Sequence, residues 1–81
     1  MVPLDAYPNP FTNFINLELE ENTENVKIEI FDIRGKSILR RVLDSNSENI
    51  PTEQLPDGLF ILVVTKDNKL LARERIVKTG S

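Results

Sequence analysis

Phe14-Ile15-Asn16-Leu17-Glu18-Leu19-Glu20 is the stretch that decides the fold. Ile15, Leu17 and Leu19 fall on one side of a strict alternation, with Asn16, Glu18 and Glu20 on the other. A period of two marks a half-buried β-strand, because successive side chains of an extended chain point to opposite faces. Val26-Lys27-Ile28-Glu29-Ile30 repeats the pattern, with Val26, Ile28 and Ile30 inward. Phe31 interrupts it and needs cover of its own. Ser37 to Asp44 reads as a further strand with a looser pattern. Leu59-Phe60-Ile61-Leu62-Val63-Val64 is apolar throughout, which predicts a central strand covered on both faces. Leu70 to Lys78 closes the chain as another strand.

Turn chemistry separates these runs. Glu21-Asn22-Thr23-Glu24-Asn25 is a polar loop. Asp32-Ile33-Arg34-Gly35-Lys36 fits a tight hairpin in which Gly35 supplies a positive φ. Leu55-Pro56-Asp57-Gly58 suits a type I turn, with Pro at its second position and Gly at its fourth. Asp67-Asn68 between Lys66 and Lys69 suits a type I′ hairpin. Between Asp44 and Leu55 the pattern is weak: Ser45-Asn46-Ser47 reads as loop, and Ile50 and Leu55 are expected to tuck into the core. No segment shows a helical period. About six or seven short strands with turns at this spacing predict an all-β, immunoglobulin-like antiparallel sandwich.

The chain has 81 residues, enough for one domain, here expected to be ordered over about 5–78 with 79–81 as a tail. A domain this small buries only roughly 60–65% of its unfolded surface, so each apolar strand face matters. With 40% hydrophobic and 28% charged residues the composition is that of a globular protein. Cysteine is absent, so no disulfide supports the fold. No run approaches the roughly 18–20 apolar residues of a membrane-spanning helix, and no signal peptide opens the chain. Met1 is read as an expression start on a fragment, and Gly80-Ser81 as a candidate cloning scar.

The net charge of −3 argues against nucleic-acid binding. The charge is unevenly spread: residues 1–33 hold seven acidic side chains and one basic, whereas residues 34–81 hold six acidic and nine basic. The simpler expectation is that acidic strands pair beside basic ones. The other is that one face docks a partner. Arg73 and Arg75 share a face of the last strand, and Arg40 and Arg41 take opposite faces of theirs. Such residues protect sheet edges, and they could equally form a recognition stripe.

The absence of His and Cys removes Ser-His-Asp and Cys-His catalysis and zinc sites built on those ligands. Three scattered glycines cannot build a phosphate-binding loop. Glu18 and Glu20 share a strand face about 6–7 Å apart, near the spacing of a glycosidase pair. Alternating Glu on a strand is, however, the ordinary solvated face. Asp32 and Asp57 read as turn-formers before they read as calcium ligands. No catalytic, cofactor or metal site is assigned.

Tyr7-Pro8-Asn9-Pro10-Phe11 is the most unusual pentapeptide. Each proline holds the residue before it extended, and neither can donate to a ladder. The Asn9 side chain is suited to bonding the local backbone, and Phe11 to anchoring the turn in the core.

Tyr7-Pro8-Asn9-Pro10, the strand Ile15–Leu19, Val26–Asp32 with Arg34-Gly35-Lys36, Leu55–Phe60, and the ending Arg75-Ile76-Val77-Lys78 occur in one order. Together they resemble the type A C-terminal sorting domain of the type IX (Por) secretion system. The resemblance covers residues 5–78 and implies an immunoglobulin-like sandwich at the end of a larger cargo protein. It implies passage through the periplasm of a Gram-negative bacterium and export by an outer-membrane type IX translocon. Removal by a sortase-like protease, cutting upstream of the opening motif, follows, with the cargo left at the cell surface or secreted. The domain is then an address label that needs no cofactor and does not insert in the membrane. Its partners are the translocon, the protease and the N-terminal cargo in cis.

On that resemblance the sorting residues are Tyr7, Pro8, Asn9 and Pro10, the hairpin pair Gly35 and Lys36, Gly58, and Arg75, Ile76, Val77 and Lys78. Phe60 stands where the family often has Tyr, and Thr79-Gly80-Ser81 extend past its usual end. The terminal strand is expected to be exposed, with Arg75–Lys78 pairing to an open sheet edge of a partner. The alternative is an immunoglobulin-like structural or adhesive module. A similar Tyr-Pro-Asn-Pro-Phe opening occurs in domains resembling those of flagellar hook-cap proteins. A carbohydrate-binding module is less well matched, since Trp is absent and Tyr7 is the only Tyr.

Overall fold

The computed structural model describes residues 4–8, 10–19, 25–43 and 45–80. Glu20 and the loop residues 21–24, read above as a solvated carboxylate and a polar turn, lie outside the described residues, as does Asn9. Seven strands follow one another: β1 (Leu4–Tyr7), β2 (Phe14–Leu19), β3 (Val26–Phe31), β4 (Ser37–Val42), β5 (Ser47–Pro51), β6 (Gly58–Lys66) and β7 (Lys69–Lys78). They form two antiparallel sheets, one of three strands in the order β1-β2-β5 and one of four in the order β4-β3-β6-β7. The result is an immunoglobulin-like β-sandwich. β1 is an addition to the expected set, because Leu4–Tyr7 is too short to carry a period.

The alternation in β2 and β3 is what closes the sandwich. Ile15, Leu17 and Leu19 from one sheet and Val26, Ile28 and Ile30 from the other are each at most 3% exposed. Phe60, Leu62, Val64, Ala72 and Ile76 complete the four-stranded half of the core. Ile50 and Leu55 are buried as expected, Ile50 from within β5.

The hairpins follow their turn residues. Gly35 has φ +87°, and Asp67 and Asn68 have φ +51° and +66°, as a type I′ turn requires. The Asp32 carboxylate accepts 2.9 Å hydrogen bonds from the backbone N–H groups of Arg34 and Lys36, so it shapes its turn. The turn before β6 is displaced from its expected place. Its closing hydrogen bond runs from Leu55 N–H to the Thr52 carbonyl, so the tight turn is Thr52–Leu55, ahead of Pro56.

One expectation needs correction. β6 is central in its sheet but among the described residues is covered on one face only. Phe60, Leu62 and Val64 are buried, while Leu59 is 38% exposed and Ile61 and Val63 are half-buried. The expected pairing of an acidic strand beside a basic one is seen where Arg40 meets Glu29 at 3.1 Å across β4 and β3. In the β6–β7 register Arg73 and Arg75 lie opposite Val63 and Ile61.

Candidate functional site

The strand registers gather the dispersed motif residues at one end of the four-stranded sheet. Phe31, the last residue of β3, pairs with Ile61 near the start of β6, so the Gly35-Lys36 hairpin projects beside that start. Gly58, the first residue of β6, pairs with Lys78, the last of β7. Gly58 has φ +146°, a conformation that disfavours any side chain, and this explains a glycine where the chain enters the sheet. Arg75, Ile76 and Val77 precede Lys78 on the same strand.

The opening motif reaches that end by a different route. Tyr7 closes β1, its hydroxyl donates to the Glu18 carboxylate, and the Tyr7–Pro8 peptide is cis. Pro8 and Pro10 are exposed. Phe11 is fully buried, which bears out its role as anchor. Its N–H donates to the Val77 carbonyl at 2.8 Å, and its carbonyl accepts from Thr79 N–H at 2.9 Å. Phe11 thus makes a parallel bridge to Lys78 on the outer edge of β7.

Lys78 joins the two ends. Strand parity turns it inward with Ala72 and Ile76, and it is only 6% exposed. A buried ammonium is costly unless its donors find partners. Lys78 Nζ donates to the Thr52 carbonyl at 2.7 Å and stands 5.9 Å from the centre of the Phe11 ring, within cation–π reach. Thr52 is itself fully buried: its N–H donates to the Asn13 carbonyl at 2.9 Å and its hydroxyl to the Thr12 carbonyl at 3.3 Å. One knot therefore binds the opening turn, the link before β6, and the end of β7.

This geometry alters the expectation for Arg75–Lys78. The outer edge of β7 at Val77 and Thr79 is already occupied by Phe11, and the side chains of Ile76 and Lys78 are internal. Arg75 and Val77 point to the opposite face and are exposed. Thr52 had no sequence signal, since its contacts come from segments far away in the chain. The inward place of Lys78 was visible in its alternation with Ile76.

Catalytic chemistry finds little support in the arrangement. Among the described residues no three acidic side chains come close enough to hold a metal ion. Glu18 is engaged by Tyr7. The backbone N–H of Lys36 foremost, then that of Arg34 and the two cationic side chains, hold the Asp32 carboxyl below the ordinary 3.8. No described helix is long and apolar enough to cross a membrane.

A family model described as the secretion system C-terminal sorting domain matches residues 5–79. The chain belongs to this family. It is a C-terminal sorting signal of type IX secretion, and the sorting-domain family is non-catalytic. No curated protein matches the chain. Membership makes the sorting domain part of a cargo protein, ties it to the type IX secretion machinery, and sets its destination as the cell surface or the extracellular space. In this sorting domain the opening turn, Gly58 and Lys78 meet at the Phe11–Lys78 end.

Proposed function

We propose that residues 1–81 form a single sorting domain, its ordered body spanning about 5–78, that carries an N-terminal cargo from the periplasm through the outer-membrane translocon of a Gram-negative bacterium. A sortase-like protease then removes the domain upstream of Tyr7. Tyr7, Pro8, Asn9 and Pro10, Gly35 and Lys36, Gly58, and Arg75 to Lys78 are the residues that define the signal. The observation that carries this reading is the convergence of the opening and closing motifs on one end of a domain matched along residues 5–79. A signal built this way is a folded surface, in which Ile76 and Lys78 act by holding the end together and Arg75 and Val77 by facing outward.

The test is a fusion of a signal peptide, a fluorescent cargo and residues 1–79, expressed in a bacterium with an intact type IX translocon and in a translocon-deficient strain. Cargo outside the cell only in the intact strain is the expected result. Cargo held in the periplasm of both strains, with the domain folded, would sink the sorting role and favour an immunoglobulin-like structural module. Mass spectrometry of exported cargo would locate the cut, and an intact fusion at the surface would remove the protease from the scheme.

A further inference from the structure

The outer face of the four-stranded sheet is uncovered among the described residues, and its composition is ordered. Along β6 run Leu59, Ile61 and Val63, extended sideways by Val77 on β7 and Phe31 on β3. Leu59 and Val77 are 38% and 37% exposed, and the other three are half-buried. Arg73 and Arg75 flank this row from β7, and Lys27 and Arg40 flank it from β3 and β4. Glu29 on this face is paired with Arg40, and Glu74 lines its β7 side beside Arg73 and Arg75. A chain of net charge −3 therefore presents a cationic face here.

The relief of the face points to the shape of its occupant. Val63 and Thr65 lie in a depression of about 490 Å³ lined also by Lys27, Glu29, Arg40 and Arg41. Ile61 lies in a second one of about 350 Å³ lined also by Arg73, Glu74 and Arg75. The apolar side chains thus lie in a channel whose flanks carry five cationic side chains against two acidic ones. From β7 to β4 is three strand spacings, about 14 Å. An α-helix is about 10–12 Å across with its side chains and packs naturally on a sheet. A flat lipid surface would not reach the floor of the channel. A second copy meeting the face through a two-fold axis would set arginine rows against each other.

We propose that this face is a docking site for an amphipathic helix of a partner protein, seated along β6, with an apolar stripe flanked on both sides by Glu or Asp. The inference is independent of the sorting role: it requires only this face and its charges.

The probe is a labelled peptide of about 18 residues, long enough to hold a helix, with Leu at the a and d heptad positions and Glu at e and g. A counterpart carries Lys in place of Glu, and phosphatidylglycerol vesicles form a third arm. Binding to the isotopically labelled chain is followed by anisotropy and by amide shift changes. The expected result is a response at residues 59–63 and 73–75 to the Glu peptide and none to the Lys peptide. Arg40→Glu with Arg73→Glu should weaken binding by about tenfold or more, the loss of roughly 1.4 kcal/mol. Val63→Thr, which keeps β-branching, should weaken it while leaving the fold intact, and so serves if the charge reversal unfolds the chain. Equal binding of both peptides, shifts confined to another face, binding to vesicles alone, or no response at all would each overturn the proposal.

Discussion

Lys78 Nζ donates a 2.7 Å hydrogen bond to the carbonyl of Thr52, and both residues are buried. Removing the ammonium leaves that carbonyl without its donor, and a hydrogen bond to a charged group contributes about 1.5–3 kcal/mol. Lys78→Met, which keeps an unbranched apolar stem, is expected to lower stability by that amount. Urea denaturation measures it through a lower midpoint at constant slope. An unchanged midpoint would mean that water replaces the ammonium without loss.

Phe11 carries a larger share. It is fully buried and its backbone is bonded to Val77 of β7 and to Thr79 just after it. Phe11→Ala should cost about 3–5 kcal/mol. A domain of this size has about 4–12 kcal/mol in total, so the variant is expected to lose at least about a quarter of its stability. Phe11→Leu, which refills much of the space, should remain folded. Hydrogen exchange gives a second reading: the amides of Phe11 and Thr79 are expected to be protected in the wild type and to lose protection first in Phe11→Leu.

At Gly35 the cost of a side chain is conformational. Its φ is +87°, and an added Cβ would meet nothing within 4 Å. Gly35→Ala should therefore cost about 1–2 kcal/mol, the penalty of a left-handed L-residue. Gly35→Asn should cost less, because Asn tolerates that region. Equal thermal shifts for the two variants would indicate that the hairpin relaxes to another turn type.

Asp32 makes the hairpin sensitive to acid. Its folded pKa lies below the ordinary 3.8, chiefly because the Lys36 and Arg34 amides favour the carboxylate. A depressed acid stabilises the fold above its unfolded pKa, and the contribution is lost as pH falls through the folded value. Wild type should thus exceed Asp32→Asn in stability at pH values above 3.8, with the difference shrinking below it. Urea midpoints across that range check the trend. A difference that grows on acidification would have the wrong sign for this account.

The sheet architecture was legible because it rests on local rules. Ile15, Leu17 and Leu19 alternate with polar residues, and only one face of such a strand can be buried. Gly35 and Asp67-Asn68 marked their hairpins because few residues accept positive φ. The uniform apolarity of residues 59–64 misled, since it signals burial of both faces and cannot tell a covered face from one left open to a partner. The short strand β1 and the Thr52–Leu55 turn escaped for the opposite reason: each is held by contacts rather than by pattern.

By itself, then, the sequence determined an all-β chain, its inward faces, its hairpins, and the ordered motifs that mark a sorting domain. Only the tertiary structure decided that Phe11 seats on the edge of β7, that Lys78 spends its charge on Thr52, and that Arg73 and Arg75 share a face with the apolar row of β6. The physical reason is range. Strand period and turn geometry are set by neighbouring residues, whereas Phe11 lies most of the chain away from Lys78 and Thr52 lies 26 residues from it, and such partners are chosen only when the two sheets close on one core.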